Sequence, residues 1–146
     1  DIVSEITLDD LTCNTAAVSP TAVFGNENPY KPMNLYVYEA KVTVSDISLD
    51  FSSGAVLAVY DGSTCVGTYT LTGEIGSTAP IAITAGADDG TGNGFTDGNA
   101  MSFKIWYNNC AFDATATFMD SGSNTIDAVA FSQQGDAFIS SLVVTQ

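Results

Sequence analysis

The sequence predicts an all-β fold, and three observations lead to that prediction. Apolar residues recur at every second position in many short segments, which is the period of a half-buried strand. These segments are rich in Val, Ile, Thr, Tyr and Phe, and no stretch shows a sustained helical period. Gly, Asp, Asn and Ser separate them, as is typical of turns between strands. We therefore expect a single domain over residues 1–146, an antiparallel β-sandwich of jelly-roll or immunoglobulin-like type with about nine or ten strands.

The clearest predicted strand covers residues 34–45. Its even positions from Tyr36 to Val44 are expected on one face, and its odd positions from Glu39 to Ser45 on the other. Strands are also predicted over residues 2–8, 16–24, 56–60, 65–72, 80–85, 101–107, 112–119, 126–131 and 137–144. Asp61-Gly62 and Asn108-Asn109 mark hairpin turns between neighbouring strands.

The charge of the chain excludes several classes of partner. Asp and Glu number 17 against three Lys, Arg and His are absent, and the net charge is -14. Such a charge repels nucleic-acid phosphates and anionic membrane surfaces, so neither is expected as a partner. No apolar run approaches the roughly 20 residues that a membrane-spanning helix needs, so membrane insertion is not expected either.

The absence of His limits the chemistry that the chain can perform. No Ser-His or Cys-His pair and no zinc site with imidazole ligands can form. A hydrolase with paired carboxylates stays formally possible. We therefore expect that the protein is not an enzyme.

The loop over residues 87–100 is the most distinctive local feature. Counted from Asp89, oxygen-bearing side chains fall at the first, third, fifth and ninth positions, as in a calcium-binding loop. Ala100 replaces the bidentate Glu of an EF-hand at the twelfth position, and no helices flank the loop. If strand directions alternate, the Asp61-Gly62 turn lies at the same end of the domain. The predicted calcium ligands are Asp61, Asp88, Asp89, Asn93 and Asp97; the alternative is that these side chains are solvated and hold no cation.

Trp106 is the only Trp of the chain. Alternation places it on the opposite face from Phe103 and Ile105, so its ring is a candidate platform for stacking a sugar. Alternatively, Trp106 packs under a loop or at a subunit contact, where aromatic side chains are also favoured.

The three cysteines leave one thiol unpaired, and their number alone permits any one pair. Alternating strand directions place Cys13 and Cys110 at one end of the domain and Cys65 at the other. This argument predicts a Cys13–Cys110 disulfide, which fits an oxidising, extracellular compartment.

The segment from Ala58 to Gly67, followed by the segment from Asn93 to Trp106, resembles non-catalytic β-sandwich modules in large secreted and surface proteins of Bacteroidetes-type bacteria. In those modules a strand ends in a Phe/Tyr-Asp-Gly turn and the next begins Cys-Val-Gly. Gly-Phe, a Gly and Ser-Phe-x-x-Trp follow. The resemblance covers roughly residues 55–110, implies an extracellular structural or adhesive role, and carries over no catalytic residue.

Together these features predict a non-catalytic module outside the cell or on its surface. It would associate with itself, as the subunit of a filament, or with neighbouring modules of a surface protein. The apolar segments 2–8 and 138–144 are the candidates for pairing with a neighbour's sheet. The alternative is a carbohydrate-binding module, based on Trp106 and on the Tyr-rich strand 34–45.

Overall fold

Most of the alternating segments form strands in the computed structural model, which describes residues 6–23, 29–76 and 79–146. These ranges contain no α-helix, and their only helical element is a 3-10 turn at Leu8–Asp10. The strands are β1 (Met33–Val37), β2 (Ala40–Val44), β3 (Ile47–Asp50), β4 (Val56–Asp61), β5 (Thr64–Thr70), β6 (Ile81–Ala85), β7 (Ser102–Tyr107), β8 (Cys110–Met119), β9 (Thr125–Ile126) and β10 (Asp136–Thr145). The all-β prediction is confirmed.

Strand β8 belongs to both layers of a sandwich-like sheet. Its residues 110–114 pair with β7, in a layer ordered β5-β4-β7-β8. Its residues 115–119 pair with β10, in a layer that also holds β1, β2, β3 and β6. The short strand β9 pairs with the last two residues of β8. A strand that passes from one layer to the other makes a corner, and the sheet is not closed into a barrel.

The sheet is mixed rather than entirely antiparallel, because β10 runs parallel to β1 and β2. Asn34 pairs with Asp136, and Thr43 pairs with Thr145, in one unbroken register. Parallel neighbours need a long connection between them. The chain from β3 to β9 forms that connection. The local sequence patterns of β1 and β10 do not indicate that these strands are neighbours.

The predicted faces of the strand over residues 34–45 are wrong in its first half. The buried residues include Leu35 and Val37 in β1 but Ala40 and Val42 in β2. The side chains that face the core therefore switch from odd-numbered to even-numbered positions at residues 38–39, which we call the parity change. The backbone ladder continues through the change, with Tyr38 N donating to Ile139 O at 3.0 Å. Strand β10 changes parity in step, from Ile139 to Leu142. Tyr36 therefore lies on the outer face of the sheet.

One hydrophobic core fills the space between the two layers. Its described members are all apolar or cysteine, and no polar or charged residue of the described ranges is buried. The largest fully buried side chains are Phe51, Phe95, Phe131, Met33, Leu35, Leu57, Leu71, Ile83, Ile105, Ile139 and Leu142. Strands β5 and β6 approach closely at Gly67, where a Cβ atom would lie 2.6 Å from the carbonyl oxygen of Thr84.

Near the N-terminus, the described parts of the two segments that are predicted as strands contribute no strand to the sheet. Within the described part of the predicted strand 16–24, Ala16 makes the only bridge, to Cys110, and residues 17–23 are irregular. Pro20 lacks the N–H group that a continuous ladder requires. Most of the predicted strand 2–8 lies outside the described residues, and its last residue starts the 3-10 turn.

Two further elements differ from prediction. Strand β3 was missed; it follows β2 through a tight turn in which Ser45 and Asp46 have positive φ angles of 45° and 70°. The predicted strand 126–131 is reduced to Thr125–Ile126. The predicted Asn108-Asn109 turn is confirmed, with φ angles of 51° and 62° that Asn tolerates well.

The predicted disulfide is confirmed: Cys13 is bonded to Cys110, with a Cα–Cα distance of 5.7 Å. Cys65 is a free cysteine. The bond fixes the irregular N-terminal segment to the start of β8, next to the backbone hydrogen bond from Ala111 N to Thr15 O at 2.9 Å.

Replacing both Cys13 and Cys110 by Ala is expected to lower the free energy of unfolding by about 2–5 kcal/mol, because the bond closes a long loop in the unfolded chain. Urea denaturation followed by tryptophan fluorescence measures the change. The Cys65→Ala variant is the matched control and is expected to change stability by less than about 1 kcal/mol. Equal stability of the double variant and the control would contradict the expectation.

Candidate functional site

The acidic loop 87–100 is built around a buried aromatic ring. Phe95 is buried and stacks on Phe131, with ring centroids 4.7 Å apart and an interplanar angle of 7°. Phe95 N donates to Gly86 O, and Asp88 N donates to Phe95 O, both at 2.9 Å. Gly94 lies so close to the backbone of Ala87 that a Cβ atom would overlap it. The loop is thus anchored to the core through its middle.

Two of the predicted calcium ligands, Asp88 and Asp89, stabilise turns within this loop by accepting hydrogen bonds. Asp88 Oδ1 accepts hydrogen bonds from Gly90 N at 3.0 Å and from Gly92 N at 2.9 Å. Asp89 Oδ1 accepts from the Thr91 hydroxyl at 2.7 Å and from Thr91 N at 3.2 Å. Such contacts from Asp to the main chain two residues later are typical of turns.

Two other predicted ligands connect the loop to distant segments. Asp61 accepts from Thr96 N at 2.8 Å and from Asn99 Nδ2 at 3.0 Å, so the β4–β5 turn and the loop meet as predicted. Asp97 accepts from Gln133 N at 2.8 Å. The fifth residue, Asn93, is half-buried in the loop.

The described ranges contain no group of three or more acidic or Cys side chains placed to hold one metal ion. The loop, the β4–β5 turn and the segment around Gln133 are therefore brought together, but their carboxylates are directed at separate backbone donors. Calcium binding at this end stays a prediction.

Trp106 lies on the outer face of β7, as predicted, and is half-buried. Its Nε1 donates to the carbonyl oxygen of Ala17 at 2.8 Å. We call residues 17–23 the strap; this segment follows the disulfide-bonded Cys13 and begins at the contact between Ala17 and Trp106. The contact gives the indole an anchoring role at the base of the strap.

Cys65 lies opposite Tyr60 in the β4–β5 hairpin. Burial raises the pKa of the Cys65 thiol, although hydrogen bonds to Gly67 and Tyr60 oppose the shift. A raised pKa keeps the thiol protonated at neutral pH, and the protonated thiol is a poor nucleophile. The geometry therefore gives no sign of a reactive cysteine.

An aromatic pair on the outer face of the other layer was missed by the sequence argument. Tyr36 and Phe138 stack with centroids 5.5 Å apart and are half-buried. In the neighbouring row the Thr84 hydroxyl lies 3.3 Å from Asn34 Oδ1. The parity change at residues 38–39 turned Tyr36 outward, and no local pattern marks that change.

A groove runs along β8 where the strand passes between layers. Residues 115–117 pair with β10 on one side, whereas on the other side β7 ends its pairing at Ala114 and β9 begins at Phe118. Among described residues this edge of β8 has no strand partner. The groove has a volume of about 480 Å³ and is lined mainly by apolar side chains, which include Met101, Phe103, Ala114, Ala116, Phe118 and Ala128. We call it the β8 groove.

Comparison with protein-family models, with curated proteins and with solved structures finds no match to this chain.

Replacing Asp61 by Ala is expected to lower the free energy of unfolding by about 1–2 kcal/mol, because two donors from the loop lose a charged acceptor. Chemical denaturation of Asp61→Ala beside Asp89→Ala measures the effect. Asp89 contacts only its own loop through Thr91, so its loss is expected to cost less. The opposite order of stabilities would contradict a role for Asp61 in joining hairpin and loop.

Proposed function

We propose that this protein is a non-catalytic, extracellular structural or adhesive module whose copies associate with one another, as in a surface filament. The observation that carries the proposal is the open edge of β8. A strand edge with an apolar groove beside it offers main-chain hydrogen bonds and apolar contacts to an incoming strand. Neighbouring modules of a surface protein are the other class of partner for the same edge.

The position of the polar groups supports a non-catalytic role. Enzyme sites usually combine a cleft with ionisable groups whose pKa values are shifted by burial. Here the core of the described chain is apolar, and the acidic side chains of the loop accept hydrogen bonds from turns. The β8 groove is lined mainly by apolar side chains, and Asp113 is the one carboxylate among its lining residues.

The disulfide supports an extracellular location, since such bonds persist in oxidising compartments. The resemblance of residues 55–110 to modules of secreted and surface proteins points the same way. Among the described residues, no helix has the length and apolar character needed to cross a membrane.

Association is tested with the purified protein by sedimentation velocity over a range of concentrations, followed by negative-stain electron microscopy. The expected result is a shift from monomer to larger species as concentration rises, with ordered fibres in the micrographs. A monomer at every concentration up to the millimolar range would overturn the proposal.

Calcium is proposed to stabilise the acidic end. Carboxylates of Asp61, Asp88, Asp89 and Asp97 share one region of a chain with net charge -14, and a hard cation bound there would relieve their repulsion. Binding to the folded state must raise the melting temperature. Thermal melts in millimolar calcium and in excess EDTA measure the shift, with Asp88→Asn/Asp89→Asn as the matched variant. Identical melts of the wild type, with no heat on calorimetric titration, would leave the loop without a cation.

A carbohydrate-binding module is the second candidate, and the outward Tyr36–Phe138 pair is the observation that favours it. Aromatic rings beside polar groups such as those of Asn34 and Thr84 suit sugars, which have apolar faces and hydroxyl rims. A glycan array separates the two functions. Binding that is lost in Tyr36→Ala would support the sugar-binding function, and a blank array would favour the structural one.

A further inference from the structure

We propose that the strap of one copy docks in the β8 groove of a second copy, so that this contact joins neighbouring copies. The inference rests on the proposed function, because it names the two surfaces that self-association would bring together. Strap and groove are different parts of the chain, so one copy can offer both at the same time.

The strap is anchored to the sheet at its start. Ala17 N donates to Asn109 O at 3.1 Å, and Ala17 O accepts from the Trp106 indole. From Val18 to Val23, the described part of the chain provides no main-chain hydrogen bond. Val18 is 88% exposed and Val23 is 59% exposed, more than any other large apolar residue described. The strap thus presents exposed apolar side chains, and its main-chain groups beyond Ala17 have no main-chain partner among the described residues.

The groove offers the complementary features. The open edge of β8 over residues 115–117 is about 10 Å long, at 3.3 Å per residue. Three strap residues after Pro20 (21–23) have the same length and keep their N–H groups. Phe103 and Phe118 form the apolar floor, with ring centroids 6.3 Å apart.

Charge favours the strap over other segments of this acidic chain. Asp113 lines the groove and is paired with Lys104 at 2.7 Å, and the exposed Asp127 precedes the lining residue Ala128. An acidic segment would be repelled there, but residues 11–23 contain no charged side chain. The exposed edge strand β3, the main rival, is bounded by Asp46 and carries Asp50. Docking β3 in the groove would set carboxylates against carboxylates.

The interface would be heterologous, because it joins two different patches. Such contacts build open chains unless their rotation closes a ring. A filament then needs no second interface, and each end of it keeps one unoccupied surface, a strap at one end and a groove at the other.

Two variants test the contact directly. Val18→Asp/Val23→Asp places two charges on the strap and leaves the groove unchanged. Ala128→Arg fills the groove with a long side chain and leaves the strap unchanged. All three positions are exposed, so unchanged circular dichroism and melting curves are expected. Sedimentation velocity is expected to show that each variant alone is a monomer at concentrations where the wild type associates. An equimolar mixture is expected to form a 1:1 dimer that grows no further, since one intact strap meets one intact groove.

Ile47→Asp, on the edge of β3, is the matched control and is expected to associate like the wild type. Association of both interface variants like the wild type, or a mixture that stays monomeric, would overturn the strap-to-groove contact while self-association itself stands. Loss of association in Ile47→Asp alone would assign the interface to β3 instead. A monomeric wild type would overturn this inference together with the proposed function.

Discussion

The parallel pairing of β10 with β1 and β2 is the contact on which the rest of the sandwich depends. β10 lies between these strands and β8, so it connects the beginning of the described sheet to the strand that crosses between layers. Its register to β1 and β2 is constant from Asn34 to Thr43. A slip by one residue would expose every buried side chain of the pair, and the apolar faces of both strands therefore hold the register.

The change of buried parity near Tyr38 follows from this pairing. If the parity change occurred between β1 and β2 but not within β10, buried apolar residues of one strand would pair with outward-facing residues of its neighbour. The parity change in β10 lies between Ile139 and Leu142, where its register to β8 also shifts. The apolar residues of β10 therefore face the core both where it pairs with β1 and where it pairs with β2. The same change brings Tyr36 beside Phe138 on the outer face, so an aromatic surface arises as a consequence of how the core is closed.

The acidic side chains are used in two ways. Some are purely local, as when Asp88 and Asp89 satisfy main-chain donors in the turns of their own loop. Others connect distant segments, as when Asp61 receives Thr96 N across 35 positions of sequence. In contrast, the segment around the disulfide and the strap carries no charge, which makes it the part of the N-terminal region best suited to contact another acidic surface.

The sequence by itself determined the all-β class, the hairpin turns and the pairing of Cys13 with Cys110. Each depends on local alternation, on turn residues such as Asn108-Asn109, or on counting strand directions. It also placed the Asp61 turn beside the loop 87–100 and Trp106 on the outer face. Only the tertiary structure decided the parallel position of β10, the outward turn of Tyr36 and the gap in pairing along β8. These features arise from contacts between segments roughly a hundred residues apart, or from where one strand stops pairing and another begins, and local periodicity contains no information about either.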